Sequence, residues 1–175
     1  LLGQVAALGV VYALAEFSIE AGVKWPNDVL VKDRKIAGIL LEAGDRPDRL
    51  VVGIGLNVNL TPADLPPDQL RRPATSIRIE TARLTPLDAV VAALIRGWDR
   101  ANSVAASPEA LRLAWTDRDL LRNRPLRVET ESTTWCGRYG GVTLDGQLIL
   151  VRPDGSSMTF WSAEVDRLDP DTAAE

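Results

Sequence analysis

Residues 24–42 read KWPNDVLVKDRKIAGILLE. Four lysines or arginines and two aspartates fall between Lys24 and Gly38, inside an otherwise apolar neighbourhood. Val23-Lys24 reads as a short strand entering a corner at Trp25-Pro26-Asn27-Asp28, where Pro26 fixes one dihedral and Asn27 tolerates a turn conformation. Val29 to Lys32 is then a second strand, Asp33-Arg34 a tight turn, and Lys35 to Glu42 a third strand. The result is a hairpin whose charges sit at its tip and its entry.

Two-residue alternation puts Lys35 on one face with Ala37, Ile39 and Leu41. A lysine leaving an apolar wall meets an anion in a partly desolvated setting, where the attraction exceeds that in water. The plain alternative is a solvated turn lysine. At the corner, Asn27 and Asp28 offer oxygen ligands to a magnesium ion carrying nucleotide phosphates. Asp28 could equally accept a proton or orient an amine nucleophile, and an Asx turn is the plain reading of both residues.

Upstream, residues 1–21 carry Leu1, Val5, Leu8, Val11, Tyr12 and Leu14 to Phe17 at helical spacing, with Gly22 as the stop. Leu1-Leu2-Gly3 opens inside that pattern without Met, which reads as a chain whose upstream part is absent. Downstream, Leu50 to Asn59 (LVVGIGLNVN) is a strand with Gly53, Gly55, Asn57 and Asn59 on one face and Val52, Ile54, Leu56 and Val58 on the other. Glycine weakens a strand, so a Gly, Gly, Asn face suits the close approach of a flat ligand better than core packing. It is not a dinucleotide fingerprint, since a third glycine and a following helix are lacking.

Residues 61–73 are rich in Pro and Asp and read as a surface loop. Thr85 as N-cap, Pro86 and Asp88 start a helix to about Arg100, and Ser107-Pro108-Glu109 starts another to about Trp115. From Pro125 the texture changes to short alternating strands with turn signals, which suggest a small SH3-like barrel. The boundary falls at 121–124. The expectation is an α+β fold with a mixed sheet and helices over 1–121, followed by the barrel over 125–168.

Composition narrows the chemistry. With 46% apolar and 25% charged residues and a net charge of -4, the 175-residue chain is globular and no general binder of nucleic acid or membrane surfaces. Glu16 and Glu20 interrupt the apolar opening, so no membrane helix is expected and the reading is a soluble, cytoplasmic protein. There is no histidine, which excludes imidazole bases and His-containing zinc sites within these residues. The lone Cys136 cannot form an internal disulfide and reads as a packing residue. Lys, Arg, Asp, Glu, Asn and backbone amides must carry any reaction.

Three motifs in order, Lys24-Trp25-Pro26-Asn27-Asp28, Lys35 to Glu42 (KIAGILLE) and Gly53 to Asn59 (GIGLNVN), resemble the catalytic domain of biotin protein ligase, a class II synthetase-like fold. PATSI at 73–77 and Trp115 are similar too, and the resemblance covers nearly the whole chain. The family's Gly-Arg-rich loop lies upstream of the region where this sequence begins.

The resemblance implies a two-step ligation. Biotin carboxylate attacks the α-phosphorus of ATP, with magnesium, to give biotinyl-5'-adenylate; a lysine of a biotin carboxyl carrier domain then attacks the mixed anhydride. By motif position Lys35 would stabilise charge in both steps and Asp28 would receive the acceptor lysine. Asn27 would help hold phosphate or metal, Gly53 and Gly55 would admit biotin, and Asn57 would contact the nucleotide. Lys24 is placed in the pocket, and Arg167 of the barrel would reach the nucleotide. A homodimer is compatible with this, and contact with DNA would need a separate N-terminal domain. A lipoate or octanoate ligase or transferase of the same fold and a non-catalytic biotin-sensing module stay open as alternatives.

Overall fold

The structure is a computed structural model, which describes residues 1–46, 48–66 and 72–168. Helix α1 (Leu2–Ala15) is buried nearly all round, from Gln4 to Val11 and at Ala13 and Leu14, as a helix apolar on every side must be. It stops well short of the expected Gly22. Ser18 takes a left-handed conformation (φ 60), and the amides of Ile19 and Ser18 close back on the carbonyls of Leu14 (3.1 Å) and Ala15 (3.0 Å). This is a Schellman-type stop made by serine instead of glycine.

Four strands follow: β1 (Gly22–Lys24), β2 (Asp28–Val31), β3 (Arg34–Ala43) and β4 (Leu50–Leu56), paired antiparallel in the order β1-β2-β3-β4. The β2–β3 turn is centred one residue earlier than expected, on Lys32 (φ 49) and Asp33 (φ 64), both left-handed as a type I′ hairpin requires. β4 ends at Leu56, three residues before the expected end. There the amide of Asn57 donates to the Ile36 carbonyl (2.9 Å) and its side chain to the Thr75 carbonyl (2.9 Å), so the chain turns off the sheet. The expected mixed character reduces to two isolated parallel bridges, Val23 with Asp119 and Lys35 with Ala74.

The expected surface loop contains a 3-10 turn over Pro62–Asp64; residues 67–71 of it lie outside the described residues. Helix α2 (Ile77–Thr81), not anticipated from the sequence, is capped by Ser76, whose Oγ accepts from the Ile79 amide (3.1 Å). Helix α3 (Leu87–Ala105) starts later and ends later than expected. Thr85 does not cap it: the Asn59 side chain takes both main-chain groups of Thr85, at 2.9 Å each, and Pro86 becomes the N-cap. Helix α4 (Pro108–Arg118) has the anticipated Ser107 cap, with the Ala110 amide 3.3 Å from Oγ.

α1 crosses α3 where Gly9 faces Gly97. A Cβ on Gly97 would stand 2.2 Å from the Gly9 carbonyl oxygen, so the helix backbones are in contact and α3 is pinned to α1 along its length.

Strands β5 (Pro125–Glu129), β6 (Thr134–Val142), β7 (Leu148–Val151), β8 (Ser157–Phe160) and β9 (Glu164–Arg167) form a second antiparallel sheet in the order β8-β7-β6-β5-β9. The strands are compatible with the expected SH3-like barrel, with β8 and β9 as sheet edges. The apolar core runs from one sheet to the other without a break: Val23, Trp25, Trp115 and Leu121 join Leu126, Val128, Leu148, Leu150 and Val165. Asp119 knots the junction. Its carboxylate accepts from the Trp115 indole (3.1 Å), the Leu121 amide (2.9 Å) and the Tyr139 hydroxyl of β6. Burial holds the Asp119 carboxyl above its ordinary range, with these donors pulling the other way.

Gly97→Ala is expected to destabilise the fold by about 3 kcal/mol, because neither helix backbone can yield to the added methyl. Urea unfolding checks this, and an unchanged midpoint would show that α1 and α3 have room to separate.

Candidate active site

Strand register builds one row of residues across the first sheet. Lys24 pairs with Asp28, Asp28 with Gly38, and Gly38 with Gly55, so all four share a face. The two glycines leave a strip of bare backbone beside two charged side chains. That strip is the floor of a cavity of about 1130 Å³, lined also by Asn27, Lys35, Asn57 and Arg72. The second sheet supplies the opposite wall, from Glu129–Ser132 between β5 and β6 and Ser162–Val165 between β8 and β9.

Lys35 enters this site by a route its position in the alternation does not allow. Val29 pairs with Ala37 but Leu30 pairs with Lys35, which leaves Ile36 as an extra residue in β3, a β-bulge. Beyond the bulge the parity reverses. Lys35 therefore lies over Gly38, where an added Cβ would stand 3.1 Å from both Cε and Nζ, and not with Ala37, Ile39 and Leu41 as expected. Its ammonium reaches Asp28 Oδ1 at 2.5 Å. That oxygen is buried and lacks a well-aimed hydrogen bond, so the contact is one of charge. The backbone of Lys35 is held independently: its amide donates to the Pro73 carbonyl (2.8 Å) and its carbonyl accepts from Thr75 (2.9 Å).

Asn27 fixes the corner to β3. Its Nδ2 donates to the Ile39 carbonyl and its own carbonyl accepts from the Ile39 amide, at 2.9 and 2.8 Å. The Trp25 indole, 2% exposed, donates to the Gly146 carbonyl of the second sheet (2.9 Å), and the Trp25-Pro26 peptide is cis. Lys24 is 5% exposed and donates to the Val165 carbonyl at 2.6 Å. Burial, then the Arg72 charge, lowers its pKa from 10.5 to about 8; Asp28 and Asp166 oppose this and Arg167 adds to it.

Two expected site residues stand outside the cavity wall. Gly53 pairs with Leu40 further along the same face, and Arg167 bonds Asp33 at the hairpin tip at 2.6 Å. Arg167 still carries buried Nε and Nη2 with no acceptor among the described residues. Asn57 lines the cavity while its amide is used for the chain turn. Gly38, Arg72 and the two loops of the second sheet were not singled out from the sequence. Gly38 stood in view as the partner strand's small residue, whereas nothing in the spacing around Arg72 marks it. Among the described residues no cluster of three or more His, Cys, Asp or Glu could hold a metal by itself, and no helix is long and apolar enough to cross a membrane.

The Biotin/lipoate A/B protein ligase family matches residues 2–59. Curated relatives include the "Bifunctional ligase/repressor BirA" of Bacillus subtilis (strain 168), 29% identical over 94% of this chain and 52% of its own length. Another is the "Biotin--[acetyl-CoA-carboxylase] ligase" of Paracoccus denitrificans, 33% identical over 76% of this chain and 58% of its own length. The chain thus spans about half the length of the curated relatives it matches. A solved structure, the biotin protein ligase from Aquifex aeolicus in complex with biotin and ATP, superposes with a TM-score of 0.82 at 24% identity. It covers 95% of this chain and 71% of that one, and it establishes a shared fold.

A phosphate monoester such as AMP bound beside Lys24 favours the ammonium form. Above about pH 8, where the free lysine loses its proton, binding should therefore take up a proton and weaken as the pH rises. Calorimetry in two buffers of different ionisation heat checks this: uptake is expected in the wild type and none in Lys24→Met.

Proposed function

We propose, from the match of residues 2–59 to the biotin/lipoate A/B protein ligase family, that the cavity activates biotin with ATP and passes it to a lysine of a biotin carboxyl carrier domain. The observation that carries the reading is the sheet row Lys24, Asp28, Gly38, Gly55, with Lys35 folded over Gly38 onto Asp28. The planar ureido ring of the bicycle can lie close to backbone that carries no Cβ, as at Gly55, and the cations beside it suit phosphate. In the first step a biotin carboxylate oxygen bonds to the α-phosphorus of ATP and pyrophosphate leaves. The charge on the five-coordinate phosphorus grows beside the Lys35 ammonium, fixed in advance and needing no reorganisation.

In the second step the acceptor amine bonds to the acyl carbon and AMP departs, its phosphate again met by Lys35. Asp28 is the carboxylate in reach to orient that amine and draw its proton. Lys24 is a second cation for phosphate, and Arg167, with its two orphaned donors, is a candidate contact for the nucleotide from the second sheet. Asn57 extends the lining, and Gly53 lies beyond it on the same sheet face. Magnesium would arrive with the ATP phosphates and be met by Asn27 and Asp28, as such ions are held by one or two protein oxygens plus substrate. It supplies charge neutralisation on the triphosphate.

Residues 1–121 would then be the catalytic domain and 125–168 a C-terminal domain completing its wall. A cytoplasmic location follows from the ATP and carrier substrates. The exposed Leu50 and Val51 on the edge strand β4 support a homodimer. DNA contact would require residues beyond these.

The test is biotin-dependent release of pyrophosphate from ATP and magnesium by the full-length protein, with lipoate as the competing acid. Release with biotin alone is expected; release with lipoate alone would transfer the chain to the sister activity. Lys35→Ala should lower the rate about 10²–10³-fold with the fold intact. Gly38→Ala, which displaces the Lys35 ammonium by a few tenths of an ångström, should cost about tenfold. An unaffected Gly38→Ala enzyme would show that Lys35 needs no seat.

A further inference from the structure

Two cations of the cavity share one acceptor. Lys24 Nζ donates to the Val165 carbonyl at 2.6 Å, and Arg72 Nη2 donates to the same oxygen at 3.1 Å. The three groups come from three places: β1, the segment before α2, and β9 of the second sheet. All line the cavity. Asp166 balances Arg72 at 2.6 Å and also lies 3.7 Å from Arg127. Lys24 has no ion-pair partner among the described residues, because Asp28, its neighbour in the row, is taken by Lys35.

This places a poorly compensated ammonium against a neutral carbonyl, with a second cation on the same oxygen. An ionised phosphate oxygen is a better acceptor, roughly twice as strong as a neutral one. The repulsion between Lys24 and Arg72, which adds to burial in depressing the Lys24 pKa, is also relieved by an anion between them.

We infer that Lys24, Arg72 and the Val165 carbonyl form a latch that an entering polyphosphate opens. The ammonium turns from Val165 to the anion, and the Ser162–Val165 wall loses this 2.6 Å tie to the first sheet. Arg72, anchored by Asp166, keeps the longer contact to β9. Occupancy of the cavity is thereby linked to the grip between the sheets, and the linkage is reciprocal. The inference rests on the reading of the cavity as a phosphate site and adds to it a wall that responds to the nucleotide. Arg72 becomes a positioning residue, acting through β9.

Hydrogen–deuterium exchange of peptides covering residues 161–168 tests this in the full-length protein, with inorganic triphosphate as the probe and no biotin. In the wild type, exchange should rise about tenfold on adding triphosphate, the factor for one hydrogen bond of about 1.4 kcal/mol. Lys24→Met should exchange fast without the anion and show no further rise. Arg72→Met should start from a higher baseline and keep the response through Lys24. Protection or no change in the wild type, with triphosphate binding shown by calorimetry, would overturn the latch, as would failure of triphosphate to bind. Should Lys24→Met not fold, the wild-type and Arg72→Met arms decide alone. A protein that shows the rise but releases no pyrophosphate from ATP with biotin would lose the ligase reading and keep the latch.

Discussion

Lys35 reaches Asp28 because Ile36 is left out of the pairing between β2 and β3. Without that extra residue, alternation would carry the lysine to the face of Ala37 and Ile39, which are buried in the core, and an ammonium there would have no partner. With it, the lysine crosses to the bare face and finds a seat on Gly38. The bulge is held from outside by the Pro73–Thr75 segment, which bonds both main-chain groups of Lys35. That segment is in turn fixed by Asn57, through Thr75, and by Glu80, which accepts from Arg34 (2.6 Å) and Thr75 (2.5 Å). A side chain set by packing and a second layer of hydrogen bonds is what charge stabilisation at a reacting phosphorus demands.

The second sheet belongs to the site as much as the first. Its core is continuous with that of the first sheet, and two of its polar ties fall on the KWPND corner, Lys24 to Val165 and Trp25 to Gly146, with another at the hairpin tip, Arg167 to Asp33. The corner therefore does two jobs with adjacent residues. Trp25 and Asn27 fasten structure, while Lys24 and Asp28 face the cavity. Exchanging Lys24 for an apolar residue would leave Val165 with the longer bond to Arg72 only, so one side chain both faces the cavity and ties its wall.

Much of this was legible in the sequence. The hairpin, the Gly-x-Gly strand, the Ser107 cap and the change of texture at Pro125 are local signals, written in residues close together. The resemblance of three ordered motifs to biotin protein ligase pointed to the right family. What stayed hidden depends on contacts between distant residues. The bulge at Ile36 has no signature of its own, so the face assigned to Lys35 was wrong, although the residue does line the cavity. Thr85 looks like a cap by composition, but Asn59 captures its backbone first. Ser18 ends α1 where Gly22 was expected, since Schellman bonds can be made by any residue able to bear a left-handed φ. Arg72 is one arginine among many until β9 folds against it.

The account turns on where the phosphate of the acyl-adenylate lies. A crystal structure of the full-length protein with a non-hydrolysable biotinyl-5'-adenylate analogue measures this directly. The phosphate should sit within hydrogen-bond distance of Lys35 Nζ, with the bicyclic ring beside it on the floor at Gly55. An analogue bound with its phosphate away from Lys35 would contradict it.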